Sequence, residues 1–400
     1  MRTLALSFRY LWARPLAAAL NLLLLSLGLA SITLVLLISE QISRAFERDL
    51  AGIDLVVGAK GSPMQLILAG VFHIDVPPGN IALAEVEVLQ HDPRVAKLIP
   101  LSLGDSFRGF RLVGTTADYL HHYRATLAQG DLWRAPMQTV LGAGVAAATG
   151  LRVGERFVGA HGLGGGGHAH NDEAFVVSGV LAPCQCVLDR LILTATESVW
   201  QVHEQAPARG EPDQQAKQVG REITMALIQY ASPLAAVTLP RHVNSATGMQ
   251  AAAPAVEVTR LLRMVGVGTD VLRGFALVLL LTAGLSVFIA LWNALRERRA
   301  DLAMLRMLGA SPGKLARLLV CEALWLALLA AALGLAGGHL MTALVGLMLQ
   351  SEKSLPVSGW LTVAAELWIP LVAVLVAMFA ALIPAVGAYR VDAGELLDAR

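Results

Sequence analysis

Charge is scarce in this chain. Only 15% of its 400 residues are Asp, Glu, Lys or Arg, against about a quarter in a typical soluble domain. Beside a hydrophobic content of 56%, that shortage argues against an ordinary soluble or disordered chain, provided the apolar residues come in blocks. They do. Cysteine is rare as well. Cys184, Cys186 and Cys321 are too few for a disulfide framework, and Cys321 lies in an apolar run, where a cysteine packs as a small hydrophobe. The net charge of +1 gives no basic excess, so nucleic acid is not an expected partner. A phosphate-binding loop is missing too. It needs glycines ending in Lys-Ser/Thr, whereas the glycine-rich run 162–167 has no lysine and Ala59-Lys60-Gly61-Ser62 lacks the spacing. With no Gly-x-Ser-x-Gly signature either, the chain is expected not to be an enzyme, and any ATP hydrolysis falls to another polypeptide.

What is present is four charge-free runs: between Arg14 and Glu40, Arg273 and Arg296, Glu322 and Glu352, and Glu366 and Arg390. Each can supply the roughly 20 apolar residues that cross a hydrocarbon core, and a backbone in lipid must satisfy its own hydrogen bonds as helix. The expected fold class is membrane α-helical, with four transmembrane helices in a 1+3 layout and a large α+β extracytoplasmic domain between helices 1 and 2. The spans fall at 16–38, 273–295, 318–342 and 367–388, flanked by a cytoplasmic segment 1–15, an outer loop 343–366 and a cytoplasmic tail 389–400. A cleaved signal peptide is the rival for the first run, but its apolar stretch continues to Ile38, past the usual signal core.

Lys and Arg set the orientation. Arg2, Arg9 and Arg14 precede the first span. Arg296, Arg298, Arg299, Arg306, Lys314 and Arg317 lie between the second and third, but only Lys353 lies between the third and fourth. Both termini and the basic segment 296–317 are therefore expected in the cytoplasm, with Trp360 and Trp368 in an interfacial belt at the outer edge.

Residues 39–272 are long enough for a domain with its own core. Strand-like runs occur at Leu55–Val57, Val95–Pro100, Phe110–Val113, Phe175–Leu181 and Leu191–Thr194, with a helical pattern at Ala84–His91, an α+β reading. Ser39–Ala51 and Val256–Val271 read as helical stalks, the alternative being short juxtamembrane loops. The polar stretch 204–220 reads as an exposed loop. His121 and His122 are read as surface residues, and His339 as facing another helix.

The segment from Arg296 to Pro312 has a helical pattern, with Leu302, Leu305 and Leu308 on one side and a stop at Gly309. It can plug a partner's groove or lie on lipid as an interfacial helix; both readings stay open from the residues alone. The chain here resembles the MacB/FtsX-type ABC permeases, which include the lipoprotein-extracting LolC and LolE. The resembling positions in this segment are Arg298, Arg299, Asp301, Leu305, Arg306, Leu308, Gly309 and Ala310, with Glu322 early in the third span. Leu112–Tyr119 and Val140–Gly154 carry the likeness outside. The resemblance implies an ATPase-coupling role for Arg298, Arg299, Asp301, Leu302, Leu305, Arg306, Leu308 and Gly309. It also implies a separate ABC ATPase subunit, a second permease protomer (a homodimer as the simplest case), membrane lipid and an extracytoplasmic binding protein as partners. The setting implied is the bacterial inner membrane with the large domain in the periplasm. Mechanotransmission in transport is the main expectation. Activation of an extracytoplasmic hydrolase, or lipoprotein or lipid extraction, is the alternative.

One stretch departs from that pattern. His161, His168, His170, Asp172 and Glu173 cluster around five glycines. Imidazole and carboxylate suit zinc, and glycines let ligands converge. Cys184 and Cys186 can add thiolate or be oxidised. A zinc site and a mobile polar loop are the two readings.

Overall fold

The computed structural model describes residues 2–13, 15–161, 169–204, 221–297, 299–351 and 357–390. The chain divides into two compact units, 1–43 with 265–400, and 44–264.

The first unit is helical. Its elements are α1 (Arg2–Leu11) and the membrane-side part of α2 (Pro15–Leu50); four helices of the chain, α2 among them, are long and apolar enough to cross a membrane. The second unit follows with β1 (Leu55–Ala59), α3 (Pro63–Gly70), β2 (Ile81–Ala82), α4 (Leu83–Gln90), β3 (Val95–Phe107), β4 (Phe110–Thr115), α5 (Ala117–His122), β5 (Leu127–Gly130) and β6 (Gln138–Leu141). Then come α6 (Ala143–Thr149), β7 (Arg156–His161), β8 (Ala169–Leu181), β9 (Leu191–Ala195), α7 (Thr196–Glu204), β10 (Glu222–Ile223), β11 (Met225–Tyr230), α8 (Ala235–Ala246) and β12 (Met249–Ala252). The chain returns to the helical unit through α9 (Pro254–Glu297), α10 (Arg299–Met307), α11 (Pro312–Ser351) and α12 (Trp368–Tyr389).

In the helical unit a close approach joins α2 to α11. A Cβ at Gly338 would stand 2.4 Å from Thr33 Cβ, and one at Gly334 2.6 Å from Leu29 Cβ. Two glycines four residues apart share one helix face, and their missing side chains let the backbones pack directly. Asn21, buried on α2, meets Ser286 of α9 (Oδ1–Oγ 2.6 Å). The segment 1–15, expected as a cytoplasmic N-terminal segment, holds helix α1. Phe8 sits edge-on to Trp325 at 5.2 Å, and Trp325 Nε1 donates to the Leu4 carbonyl at 3.3 Å. The stretch before α12 is fastened by side chains. Gln41 pairs with both the N–H (2.8 Å) and the carbonyl (3.0 Å) of Ser358. His339, expected to face another helix, meets Glu366 Oε2 at the start of the fourth candidate span with Nε2 at 3.2 Å, and its Nδ1 meets the Gly359 carbonyl at 2.7 Å.

The second unit is built on a ten-stranded mixed sheet, ordered β12-β1-β11-β3-β4-β9-β6-β8-β5, with β7 pairing β3 and β8. Strand β3 holds it together. Its first half pairs with β11, from Leu98↔Ile228 to Leu101↔Met225, and its second half pairs with β4. Alternating apolar residues build separate cores. One gathers Leu55, Val57, Ile228, Leu239 and Val243; another gathers Phe110, Leu112, Leu141, Phe175 and Ile192. The edge of β12 is covered by Asn244, whose Oδ1 accepts from Ala251 N at 2.7 Å. That blunts an open strand edge.

Candidate coupling segment and stalk root

The basic segment 296–317 forms α10 between α9 and the start of α11. Leu302 and Ala303 are buried in the helical core and Leu305 packs against it. Leu308, expected on the same side, is 84% exposed, and Met304 and Met307 are also exposed. The physical reason is the helix end. Gly309 has φ +94°, Gly309 N donates to the Arg306 carbonyl and Ala310 N to the Leu305 carbonyl (3.0 and 2.9 Å). These two bonds are the left-handed glycine termination that satisfies orphan carbonyls. The turn takes Leu308 off the buried stripe and leaves an apolar tip with Met304 and Met307. Arg298 lies outside the described residues. Arg299 and Asp301 lie on α10, and Arg306 is half-buried on it.

At the other end of α2, the residues that leave the first unit enter a buried polar cluster that sequence reading missed. Asp49 is 4% exposed. Its Oδ1 accepts from Val187 N at 3.0 Å, and Oδ2 stands 4.0 Å from Arg190 Nη2. Its backbone carbonyl accepts from Tyr123 Oη at 2.7 Å. Nearby, Tyr119 Oη meets His73 Nε2 at 2.9 Å, and Arg111 Nη2 donates to the Asp75 carbonyl at 2.7 Å. Burial outweighs the Arg190 charge and the Val187 N–H, so the Asp49 carboxyl is pushed up to about 6. Burial, with the Arg111 and Arg190 charges behind it, holds His73 well below the usual histidine range. Burial also brings Arg111 down to about 10 and raises both tyrosines. His122 is half-buried rather than a surface residue, its ring against Gly52, and burial lowers its pKa. The ties to Asp49 from Val187, Arg190 and Tyr123 fix the last turn of α2.

The third candidate is the histidine-rich stretch. His161 closes β7, where it pairs in register with Asp105, and His170, Asp172 and Glu173 lie on β8. These four residues belong to strands, not to a free loop. His168 lies outside the described residues. Among the described residues no three His, Cys, Asp or Glu side chains come together as a metal cluster. Cys184 and Cys186 are joined as a disulfide, so neither is a thiolate donor here.

Four helices are long and apolar enough to cross a membrane, and a mixed α/β unit lies between the first and second of them along the chain. Residues 273–393 match the FtsX-like permease C-terminal family, and residues 18–226, more than half of the chain, match the MacB-like periplasmic core domain. The chain belongs to the MacB/FtsX-type permease family. Among solved structures, the periplasmic region of MacB from Actinobacillus actinomycetemcomitans is similar over 53% of this chain and 95% of its own, with 14% identity and a TM-score of 0.35. The extracellular domain of the noncanonic ABC-type transporter YknZ from Gram-positive bacteria is similar over 50% and 98%, with 11% identity and a TM-score of 0.31. A search of the curated proteins gave no match.

Proposed function

We propose that this chain is the permease subunit of an ABC system whose ATPase is a separate polypeptide, and that α10 is where the two meet. The observation that carries the reading is the exposed apolar tip, Met304, Met307 and Leu308, held on a helix whose other face is anchored by Leu302 and Ala303. An apolar knob on a short, rigidly terminated helix suits a groove in a partner. In this reading the four apolar helices span the inner membrane in a 1+3 layout, both termini are cytoplasmic, and two protomers pair. The ATPase cycle is passed through α2 and α9 to the outer unit.

The test is co-purification and ATPase stimulation with the ATPase subunit from the same operon or locus. Leu308→Asp should abolish stimulation while the permease remains folded, because Leu308 is 84% exposed. Leu305→Asp is the wrong probe: Leu305 leans on the helical core, so the charge would disturb folding too. Full stimulation with Leu308→Asp would sink the assignment.

A link to zinc rests on the residue types in 161–173, together with the pairing of β7, which ends in His161, with β8, which carries His170, Asp172 and Glu173. Zinc titration of the full-length protein, with His168→Ala and His170→Ala as controls, decides it. Binding that both variants weaken would support a metal-linked process, and absence of binding would remove it.

A further inference from the structure

The disulfide between Cys184 and Cys186 is placed where the end of α2 is held. The residue between the cysteines, Gln185, has φ +56°, a left-handed conformation costly for a residue with a side chain. Its carbonyl accepts from Arg48 Nη1. One residue past the pair, Val187 N donates to Asp49 at 3.0 Å. Two consecutive residues of α2 are thus tied to the two sides of one small covalent ring. From the other side, Asp189 clamps the turn, with Oδ1 accepting from Cys184 N at 3.0 Å and Oδ2 from Gln185 N at 2.7 Å. The ring is not sealed in a core: Gln185 is exposed and Cys184 half-buried, while Cys186 is 8% exposed.

We propose that Cys184 and Cys186 are a thiol–disulfide exchange site for a dithiol reductant, and that their redox state sets how firmly the last turn of α2 is held. The thiolate of the reductant attacks the accessible Cys184 sulfur, forming a mixed disulfide and expelling Cys186 as thiolate, which takes a proton from water. The second thiol of the reductant then attacks its own sulfur in the mixed disulfide. It leaves as a cyclic or intramolecular disulfide and releases Cys184 as a thiol. Two electrons and two protons pass from the dithiol to the protein, and nothing else is consumed. Opening the ring lets Gln185 leave its left-handed conformation, and the chain from 184 to 187 lengthens. The Gln185 carbonyl moves off Arg48 and the Val187 N–H off Asp49. Asp49 then loses its hydrogen-bond donor while still buried, a costly state that favours release of the helix end. This inference does not depend on which polypeptide hydrolyses ATP.

The test uses the full-length protein in lipid nanodiscs, with dithiothreitol as the dithiol. Before reduction, mass spectrometry after alkylation should show neither Cys184 nor Cys186 labelled; after reduction under folding conditions, both should be. Hydrogen exchange in peptides covering 44–53 and 182–192 should then rise about tenfold, the effect of losing a bond worth roughly 1.4 kcal/mol, and should fall back on reoxidation. A Cys184→Ser/Cys186→Ser double variant should exchange fast with or without reductant. Arg48→Ala should speed exchange in 44–53 while leaving alkylation unchanged, which separates the tie from the redox step. Three results overturn the proposal: cysteines already alkylated in the untreated protein, a disulfide that opens only after urea unfolding, or reduction that leaves exchange in both peptides unchanged.

Discussion

The two units of this chain treat apolar and polar groups in opposite ways. In the helical unit the most apolar stretches are only between 28% and 50% buried, and large side chains such as Leu16, Leu281 and Phe379 stay exposed. Beside buried leucines such as Leu25 and Leu29, small residues, Gly334 and Gly338 among them, bring its backbones together. The second unit buries its large apolar side chains in cores and also encloses ionisable groups, Asp49, His73, Arg111, Tyr119 and Arg190 among them. Exposed leucine is unfavourable in water but not among acyl chains, where close packing rather than hydrophobic burial holds helices together. Buried charge, in turn, needs a folded polar network around it. The same chain therefore has two solvents, and each unit is held by what its own solvent permits.

The largest expected effect comes from filling the close approach. Gly338→Leu places a side chain where Thr33 and the Ala30 carbonyl already stand, and should destabilise the helical unit by about 3 kcal/mol. Equilibrium unfolding of the full-length protein in SDS would measure it. The sheet unit, followed by its own urea transition, should not change. A Gly338→Leu protein with unaltered helix stability would mean that apolar bulk, not backbone proximity, holds these helices.

An effect of similar size is expected in the second unit, but as a function of pH. Asp49 titrates near 6 when folded and near its ordinary value when unfolded, so the folded state takes up a proton as the pH falls through this window. The contribution is fully present below about pH 4 and is lost as pH rises through about 6, a change of about 3 kcal/mol. His73 works in the other direction: its lowered pKa gives stability that is present above the unfolded value and lost as pH falls. Comparing urea midpoints of the wild type and Asp49→Asn from pH 4 to 7 isolates the first effect. The variant should lack the loss between pH 4 and 6, and parallel curves would show that Asp49 is not buried as described.

A smaller effect falls on α10, the helix proposed to meet the ATPase. Gly309→Ala keeps the space, since nothing of the protein stands near its Cβ position. It still meets φ +94° and should cost about 1 kcal/mol locally. Far-UV circular dichroism should hardly change, while ATPase stimulation should fall. Full stimulation would show that the sharp helix end is dispensable.

How much of this was legible depended on where the signal sat. The four apolar helices were marked by long runs without charge, and β1, β3, β4, β8 and β9 by compact apolar runs. Strands β5 and β7 were not, because Leu127–Gly130 and Arg156–His161 are short and mixed in polarity. Helix α1 carried a usable pattern, Leu4, Phe8 and Leu11 on one face, but its arginines drew the reading toward charge alone. Leu302 and Leu305 lie on the buried side that the helical period marks, whereas Leu308 does not, because α10 ends at Met307 and the chain already turns toward the Gly309 termination there. The stalk root left no pattern at all. Asp49, Tyr119 and Arg190 are far apart in sequence, and only the pairing of β4 with β9 and the turn at Cys184–Cys186 bring them to the end of α2.

The smallest expected effect probes polar pairs in each environment. Asn21 and Ser286 are bonded at 2.6 Å between α2 and α9, while Asn244 bonds Ala251 at the edge of β12. Intuition favours the first, since lipid offers no replacement partner. Yet helices separated within a membrane find other polar groups, and such pairs average only about 0.6 kcal/mol. Removing the cover from a strand edge costs about 1 kcal/mol, close to the ordinary worth of a hydrogen bond. Asn21→Val should therefore shift the SDS transition slightly less than Asn244→Ala shifts the urea transition. If Asn21→Val instead costs several times more, the region around Asn21 lacks alternative partners in the separated state, and the polar pair there serves the helical unit as the buried cluster serves the sheet.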